Sequence, residues 1–241
     1  MNLQDILEHR RAVRYYDASK AIDADRVKEC VRLATLAPTS SNMQLWEAYH
    51  VTDRATIDRL VPACMGQSAV KTAHQLVVFV VRPDLWKAHA ESVLAANEEN
   101  VRKTFPEAKW EKYAGLQRAY YRKIVPFLYS RCFGVWGLCR KVIANVTGCF
   151  RPIVRQVTES DMLAVQHKSC ALAVQTFMLA MSEVGYDTCP LEGFDSARVK
   201  KVLGLPCAAR VNMIVSCGVR DEARLLTERV RLPFEEQYHR M

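Results

Sequence analysis

Short apolar stretches at three places along the chain predict β-strands. They cover residues 45–51, 76–81 and 211–217. The second stretch, Leu-Val-Val-Phe-Val-Val, has no polar position, as expected of a strand that is covered on both faces. The third also has the character of a buried strand, and Gly218 closes it. The pattern therefore predicts three or four strands in all.

Segments with apolar residues on one face predict helices, and these outnumber the strands. Asp23 is a predicted N-cap, and Pro38 ends a helix whose inner face carries Val27, Cys30, Val31 and Ala34. Residues 160–183 form the longest predicted helix, and Gly185 stands where a glycine commonly follows a helix. Other helices are predicted over residues 2–9, 53–62, 84–123 and 195–203.

No internal repeat or linker divides the chain, so we predict a single α+β domain over residues 1–241, with a helical insertion or cap at 84–159. Half of the 241 residues are apolar and 25% are charged, which is typical of a soluble globular protein. We find no N-terminal signal and no uncharged apolar run near the roughly 20 residues that span a bilayer. The most apolar candidate, 124–150, is interrupted by Arg131, Arg140 and Lys141.

The cysteine content favours reduced thiols. There are nine cysteines, an odd number, and no Cys-x-x-Cys pair. We therefore expect a cytoplasmic protein whose cysteines pack as small core hydrophobes.

The net charge of +8 is concentrated in one segment. Residues 118–155 contain no acidic residue and eight basic ones, namely Arg118, Arg122, Lys123, Arg131, Arg140, Lys141, Arg151 and Arg155. Acids and bases balance elsewhere, so we do not expect a nucleic-acid-binding surface spread over the fold.

Common enzyme fingerprints are missing from the chain. It has no Gly-x-Gly-x-x-Gly, phosphate loop, His-Glu-x-x-His, cysteine–histidine grid or Gly-x-Ser-x-Gly elbow, and we predict no metal site. What remains is a cluster of arginines near each end, Arg10, Arg11 and Arg14 at one and Arg229 and Arg231 at the other. A guanidinium binds a phosphate monoester bidentately and stays protonated near neutral pH. Such clusters are equally compatible with a solvated face.

Two further segments carry recognisable content. Ala37 to Trp46 reads Ala-Pro-Thr-Ser-Ser-Asn-Met-Gln-Leu-Trp, and Pro190 to Asp195 reads Pro-Leu-Glu-Gly-Phe-Asp. Alone, the first would be a turn and the second an ordinary loop before a helix. In order and spacing, these two segments and the two arginine clusters resemble the FMN-dependent nitroreductase family over residues 1–81 and 160–234. The family fold is a mixed, mainly antiparallel sheet flanked by helices in an interlocked homodimer.

The resemblance implies roles for the arginines. Arg10, Arg229 and Arg231 would hold the FMN phosphate, within a cofactor-binding segment that also includes Arg11 and Ala12. Ala12 stands where the family commonly has a hydroxyl. Arg14 would lie near the flavin N1/C2 carbonyl, where reduction places negative charge, and would raise the flavin potential.

The resemblance also implies roles for the other segments. The first would reach a cofactor held mainly by the partner subunit, through Pro38, Thr39, Ser40 and Asn42. Gln67 would bind the pyrimidine ring, although a surface glutamine fits its position nearly as well. In the late segment, which contributes Pro190, Leu191, Glu192 and Gly193, backbone amides would lie near flavin N5, and the glycine would permit close approach. Glu192 would help to tune the flavin.

The function implied is an FMN-dependent oxidoreductase. NAD(P)H would reduce tightly bound FMN, which would then reduce a small-molecule acceptor such as a nitroaromatic or a quinone, with no catalytic side chain. Within the same fold, a reductive dehalogenase or a flavin-destroying enzyme is an alternative. A cofactor-free basic protein that binds anionic surfaces through 118–155 is an alternative of another class.

Two hypotheses remain for segment 118–155. Cys132, Trp136, Cys139, Ile143 and Val146 recur at helical spacing, and Arg131 and Arg140 are predicted to flank them with stems that reach solvent. The segment would be a cap over the flavin site, or an amphipathic element on an anionic membrane that admits a lipophilic quinone.

Overall fold

Four antiparallel strands form the centre of the molecule, in the order β1-β2-β4-β3. The computed structural model describes residues 2–224 and 227–241. The strands are β1 (Trp46–Val51), β2 (Gln75–Val81), β3 (Asp187–Leu191) and β4 (Arg210–Gly218). The helices are α1 (Leu3–His9), α2 (Ala24–Ala34), α3 (Arg54–Ala63), α4 (Ser68–Lys71), α5 (Trp86–Thr104), α6 (Trp110–Ala119), α7 (Val125–Tyr129), α8 (Val135–Thr147), α9 (Glu159–Glu183) and α10 (Ser196–Leu203).

Strand β2 is the centre of the core, as its uninterrupted apolar sequence predicts. Every residue of β2 is buried, and its side chains alternate between two apolar clusters. Leu76, Val78 and Val80 face the cluster beneath α3, α4 and α10. Val77 and Phe79 face the cluster that α2 and α9 cover.

The predicted helices are confirmed closely where the sequence carries a cap. Asp23 accepts a hydrogen bond from the Asp25 amide at the start of α2, as an N-cap does. Helix α9 begins one residue before its prediction with a reciprocal capping box between Thr158 and Asp161. Gly185 follows it in the left-handed region, at φ +79°.

Strand β3 is the one that the sequence pattern does not reveal, and the loop predicted from Pro190 begins only at Glu192. Proline breaks the usual strand signal because it has no amide hydrogen to donate. It is tolerated here because β3 is an edge strand. Beyond it, Ala12 forms an isolated parallel bridge to Thr188.

Helices α5, α6 and α7 follow β2 and enclose a small apolar cluster of their own. Its members include Ala90, Leu94, Tyr121 and Val125. The predicted helical segment 84–123 is interrupted between α5 and α6 near Pro106, and a π-helical turn at 120–124 leads into α7. Among residues 2–224 and 227–241, no helix has the length and apolar content needed to cross a membrane.

Helix α8 corrects the prediction for Arg140, which is fully buried and does not reach solvent. Its Nη1 donates to the carbonyl oxygens of Phe127 (2.8 Å), Leu128 and Ser130 (3.3 Å), around the end of α7. The predicted apolar stripe is exposed instead, and Cys132 lies before the helix. The carbonyls at the end of α7 need hydrogen-bond donors, and Arg140 of another helix provides them. The prediction was wrong because helical spacing cannot reveal such a tertiary contact.

The cysteines divide into two groups, all of them in the part of the chain that the structure describes. Cys30, Cys64, Cys170, Cys189 and Cys217 are buried, as predicted for core residues, and burial raises the pKa of Cys30 and Cys64 to about 11. The core prediction is wrong for four exposed thiols, Cys132, Cys139, Cys149 and Cys207. All nine are free thiols.

Substitution of Gly218 tests the packing at the end of β4. A Cβ at Gly218 would lie 2.6 Å from Cδ1 of the buried Tyr16. We expect Gly218→Ala to lower the free energy of unfolding by about 1–3 kcal/mol, because neither ring nor strand can move aside cheaply. Urea denaturation measures this change.

Gly115→Ala is the matched control. It lies within α6, where an added Cβ meets nothing within 4 Å. Removal of a helical glycine there should raise the free energy of unfolding by about 0.5–1 kcal/mol. Equal effects of the two substitutions would contradict the packing argument.

Candidate functional site

The two arginine clusters, which lie at opposite ends of the sequence, meet around one cavity of about 680 Å³. The predicted site residues on its wall are Arg10, Arg11, Ala12, Arg14, Arg229 and Arg231. A surface in which arginines are so concentrated suits an anion with more than one negative charge.

The N-terminal wall of this cavity is held by the edge of the sheet. After α1 the chain runs beside β3, and the Val13 amide donates to the Thr188 carbonyl at 3.1 Å. Tyr16 then anchors the segment, since its hydroxyl donates to the Ser216 carbonyl at 2.9 Å. Burial raises the pKa of Tyr16 well above its usual value. Arg14, which lies between these two anchors, and Arg10 and Arg11, which come just before them, therefore project from a fixed backbone.

The C-terminal wall is an irregular segment that arginine side chains tie to the N-terminus. Nη2 of Arg229 donates to the carbonyls of Leu7 (3.0 Å), Glu8 (3.0 Å) and Arg10 (2.8 Å), which caps the end of α1. Arg11 reaches in the other direction and donates to the Thr227 carbonyl. Arg229 thus has a structural task that its sequence position does not reveal.

Electrostatic repulsion accompanies this convergence. The pKa of Arg10 is lowered from its usual value, first by burial and then by the charges of Arg229, Arg231 and Arg11. Burial raises the pKa of the neighbouring Cys189 thiol, and the Arg14 guanidinium opposes that shift. An anion in the cavity would relieve the repulsion between the arginines.

A buried ion pair joins the parts of the site, and the sequence patterns did not reveal it. The side chain of Asp187, at the start of β3, is 2% exposed and pairs with Arg220. The carboxylate accepts from the Arg220 amide at 2.8 Å and from Nε at 2.9 Å. Arg220 also donates from Nη2 to the His9 carbonyl at 2.9 Å. Arg220 follows the predicted strand that Gly218 closes, whereas Asp187 begins the strand that the sequence pattern does not reveal, so the sequence offers no signal for their pairing.

The structure brings Gln67 to the late segment. Its Nε2 donates to the Gly193 carbonyl at 2.7 Å, and a Cβ added at Gly193 would lie 3.3 Å from that nitrogen. Gln67 is therefore not an isolated surface glutamine. The side chain of Leu191 packs in the core, so that residue can offer only its backbone to a ligand. Pro190 belongs to β3, and Glu192 begins the loop.

The segment from Pro38 to Asn42 lies apart from the wall of the arginine cavity within one chain. The Ser40 amide donates to Ser169 Oγ at 3.1 Å, and the Gln44 amide donates to Thr39 Oγ1 at 3.1 Å. Left-handed backbone occurs in this segment at Ser41 and Asn42 and just after it at Gln44, with φ values of 55°, 51° and 48°. Such conformations are uncommon outside glycine and concentrate at functional sites.

Arg224 and Tyr15 also line the cavity, although the sequence patterns did not single them out. The Arg224 guanidinium lies 4.8 Å from the centre of the Tyr15 ring, a cation–π contact. The only sequence signal for Tyr15 was its place in a pair of tyrosines directly after the first arginine cluster.

Comparison with known proteins gives a consistent result. The profile of the nitroreductase family matches residues 7–219. The chain is 24% identical over 222 residues to Protein DrgA of Synechocystis sp., covering 92% of this chain and 86% of the relative. It is 22% identical over 220 residues to the oxygen-insensitive NAD(P)H nitroreductase of Enterobacter cloacae, with coverage of 89% and 87%.

Among solved structures, a nitroreductase family protein of Streptococcus pneumoniae superposes with a TM-score of 0.69 at 18% identity, covering 100% of both chains. A candidate nitroreductase of Exiguobacterium sibiricum in complex with FMN gives 0.68 at 20% identity, covering 100% of this chain and 98% of the other. These likenesses establish the fold.

Removal of the Asp187 charge tests whether the ion pair holds the site together. We expect Asp187→Asn to lower the free energy of unfolding by about 3–5 kcal/mol, because it leaves the partly buried Arg220 without its counter-charge. Chemical denaturation followed by circular dichroism measures it. Asp58→Asn, in an exposed pair with Arg54, is the control and should change stability little. A similar small effect at both positions would contradict the proposed importance of Asp187.

Proposed function

The chain belongs to the nitroreductase family, and we propose that it is an FMN-dependent NAD(P)H oxidoreductase that reduces nitroaromatics, quinones or related conjugated acceptors. The observation that carries the proposal is the arginine cavity built from both ends of the chain. The NAD(P)H nitroreductase among its relatives and the FMN complex among its structural neighbours support it.

The residues around the cavity fit FMN chemically. Guanidinium groups bind a phosphate monoester strongly, and after burial the charges of neighbouring arginines also lower the pKa of Arg10, as expected where positive charge is concentrated. We assign the phosphate to Arg10 and Arg231, with Arg229 also contributing while it caps α1. Arg11 and Ala12 continue the same wall.

The remaining assignments concern the flavin ring. When bound, FMN supplies reversible two-electron chemistry between NAD(P)H and the acceptor. With FMN bound, Arg14 would supply a fixed positive charge near N1 and would favour the reduced state. Gln67 and the backbone at Glu192 and Gly193 orient the ring, and the glycine leaves room for it. No side chain is required to act as nucleophile.

We further propose that the active unit is a homodimer. Pro38, Thr39, Ser40 and Asn42 do not line the arginine cavity of their own chain. A second copy would bring this segment to the flavin, as the family resemblance implies. Segment 84–159 would cap the site, because the hydroxyl groups of Tyr120 and Tyr121 bond to Ser41.

Loss of one phosphate contact should weaken FMN binding. We expect Arg10→Ala and Arg231→Ala each to raise the Kd for FMN about 10- to 150-fold, since a charge-assisted hydrogen bond is worth about 1.5–3 kcal/mol. Titration of the apoprotein with FMN, followed by flavin fluorescence, gives the Kd. Arg32→Ala, in an exposed pair with Glu29, is the control and should leave it unchanged. Unchanged affinity in both cavity variants would overturn the phosphate assignment.

Arg14 should tune the flavin more than hold it. Arg14→Gln keeps hydrogen-bonding capacity but removes the charge, so we expect a lower flavin midpoint potential and slower reduction by NAD(P)H. Arg14→Lys keeps the charge and should retain a midpoint near that of the unmodified protein. Potentiometry distinguishes them, and an identical midpoint in all three proteins would show that Arg14 faces elsewhere.

A further inference from the structure

Helix α8 turns its apolar side chains away from the protein. Its exposed apolar residues are Val135, Trp136, Leu138, Cys139, Val142, Ile143 and Val146. At 3.6 residues per turn these positions span an arc of about 160°. The buried positions are Gly137, Arg140 and Ala144. This is the reverse of a helix that packs on a core, and a wide exposed apolar surface marks a place of contact.

Two contacts on the inner side fix this orientation. Gly137 allows α8 to lie against the start of α9, because a Cβ there would be 2.6 Å from the Glu159 amide nitrogen. Arg140 donates from its buried guanidinium to the carbonyls around the end of α7. Rotation of α8 to bury its apolar face would break both contacts. The outward apolar face therefore belongs to the folded state.

The turn before α8 adds an aromatic side chain to the same surface. Phe133 is fully exposed and has a φ of 45°, followed by Gly134 at 85°. A bulky residue in the left-handed region is strained, and such strain persists where surrounding contacts impose it. Here the Cys132 amide donates to Glu159 Oε1 at 2.8 Å and holds the turn. Phe133 is thus held away from the protein.

Positive charge accompanies this apolar surface, because the sequence contains no acid between residues 118 and 155 and several of its basic residues lie on α8 or next to its ends. Lys141 and Arg155 donate to the neutral carbonyls of Arg155 and Gly148, and within the described residues neither forms an ion pair, although the Asp161 carboxylate lies close enough to feel the Lys141 charge. Arg151, which follows the helix, is exposed and has no carboxylate partner within the described residues, while Arg131 before the helix pairs with Glu159 at 3.9 Å.

We propose that α8, Phe133 and these basic residues form a docking surface for an anionic lipid bilayer. The apolar side chains would enter the boundary between headgroups and acyl chains, and the basic side chains would meet lipid phosphates. A second copy of this chain suits the surface less well, because a two-fold contact would bring two surfaces of net positive charge together. The proposal does not depend on FMN binding or on the enzymatic activity.

Cosedimentation with vesicles tests the proposal with the full chain. We expect the protein to pellet with vesicles of phosphatidylglycerol and phosphatidylcholine at low ionic strength, and less as salt is raised. Vesicles of phosphatidylcholine alone should bind much less. Leu138→Asp should lower the partition coefficient at least about tenfold. It removes a leucine that would be buried in the bilayer and adds a negative charge that the anionic lipids repel.

Leu116→Asp is the matched control. Leu116 is 60% exposed and Leu138 is 65% exposed, but Leu116 lies on α6, which also carries the acidic Glu111. It should leave vesicle binding unchanged. Phe133→Ser provides a second variant at a fully exposed position, where loss of the side chain removes no internal packing, and should also weaken binding.

Three outcomes would overturn the docking surface. The first is a protein that stays in the supernatant at low salt, and the second is equal binding to neutral vesicles. The third is that the Leu138→Asp variant binds anionic vesicles as well as the Leu116→Asp variant does. If Leu138→Asp instead dissociates an oligomer in sizing with light scattering, the surface contacts another copy of the chain and not lipid.

Discussion

The candidate site depends on one buried carboxylate. Asp187 begins β3, and its side chain receives the backbone and side-chain hydrogens of Arg220, just beyond β4. Arg220 extends from there to the His9 carbonyl, immediately before Arg10. The ion pair of Asp187 and Arg220 therefore joins three parts of the site. These are the edge of the sheet, the first arginine cluster, and the stretch of chain that leads to the second cluster. Its desolvation is costly, and its benefit is position, because it fixes the backbone from which the arginines project.

That constraint explains how like charges can be held together. The repulsion among the arginines, which adds to burial in lowering the pKa of Arg10, would push the two ends of the chain apart if they were free. Instead, Arg229 caps three carbonyls at the end of α1, and Arg11 donates to the C-terminal segment. These are neutral acceptors, so the arginines gain hydrogen bonds while keeping their charges. Among the described residues of the cavity wall, seven arginines outnumber two acids, Asp221 and Glu228, so the cavity keeps a net positive charge that attracts a phosphate.

Local signals in the sequence predicted the elements that local physics decides. The apolar run of β2 and the N-cap Asp23 needed no tertiary information, and the structure confirms both. Strand β3 was missed because Pro190 is tolerated only by its place at the sheet edge. The orientation of Arg140 was missed for a related reason, since its partners are carbonyls of another helix.

In the candidate site, too, some features could be predicted from local sequence and others depend on tertiary contacts. Residue types and order indicated the two arginine clusters, and the fold brings them to one cavity. The pairing of Gln67 with Gly193, the capping role of Arg229 and the importance of Asp187 arise from contacts between residues far apart in sequence. Such contacts leave no periodic or compositional trace, so a single sequence cannot reveal them.

The helices after β2 have a structural role in the site that does not depend on what they cover. The left-handed conformations at Ser41, Asn42 and Gln44 each carry strain, of order 1–3 kcal/mol. Hydrogen bonds from these helices oppose it: the Tyr121 hydroxyl donates to the Ser41 carbonyl at 2.8 Å, and His89 Nδ1 lies 2.8 Å from the Met43 carbonyl. A change in the packing of these helices would therefore act first on the segment that contains Ser40 and Asn42. The geometry of that segment is set jointly by its own residues and by the helices that follow β2.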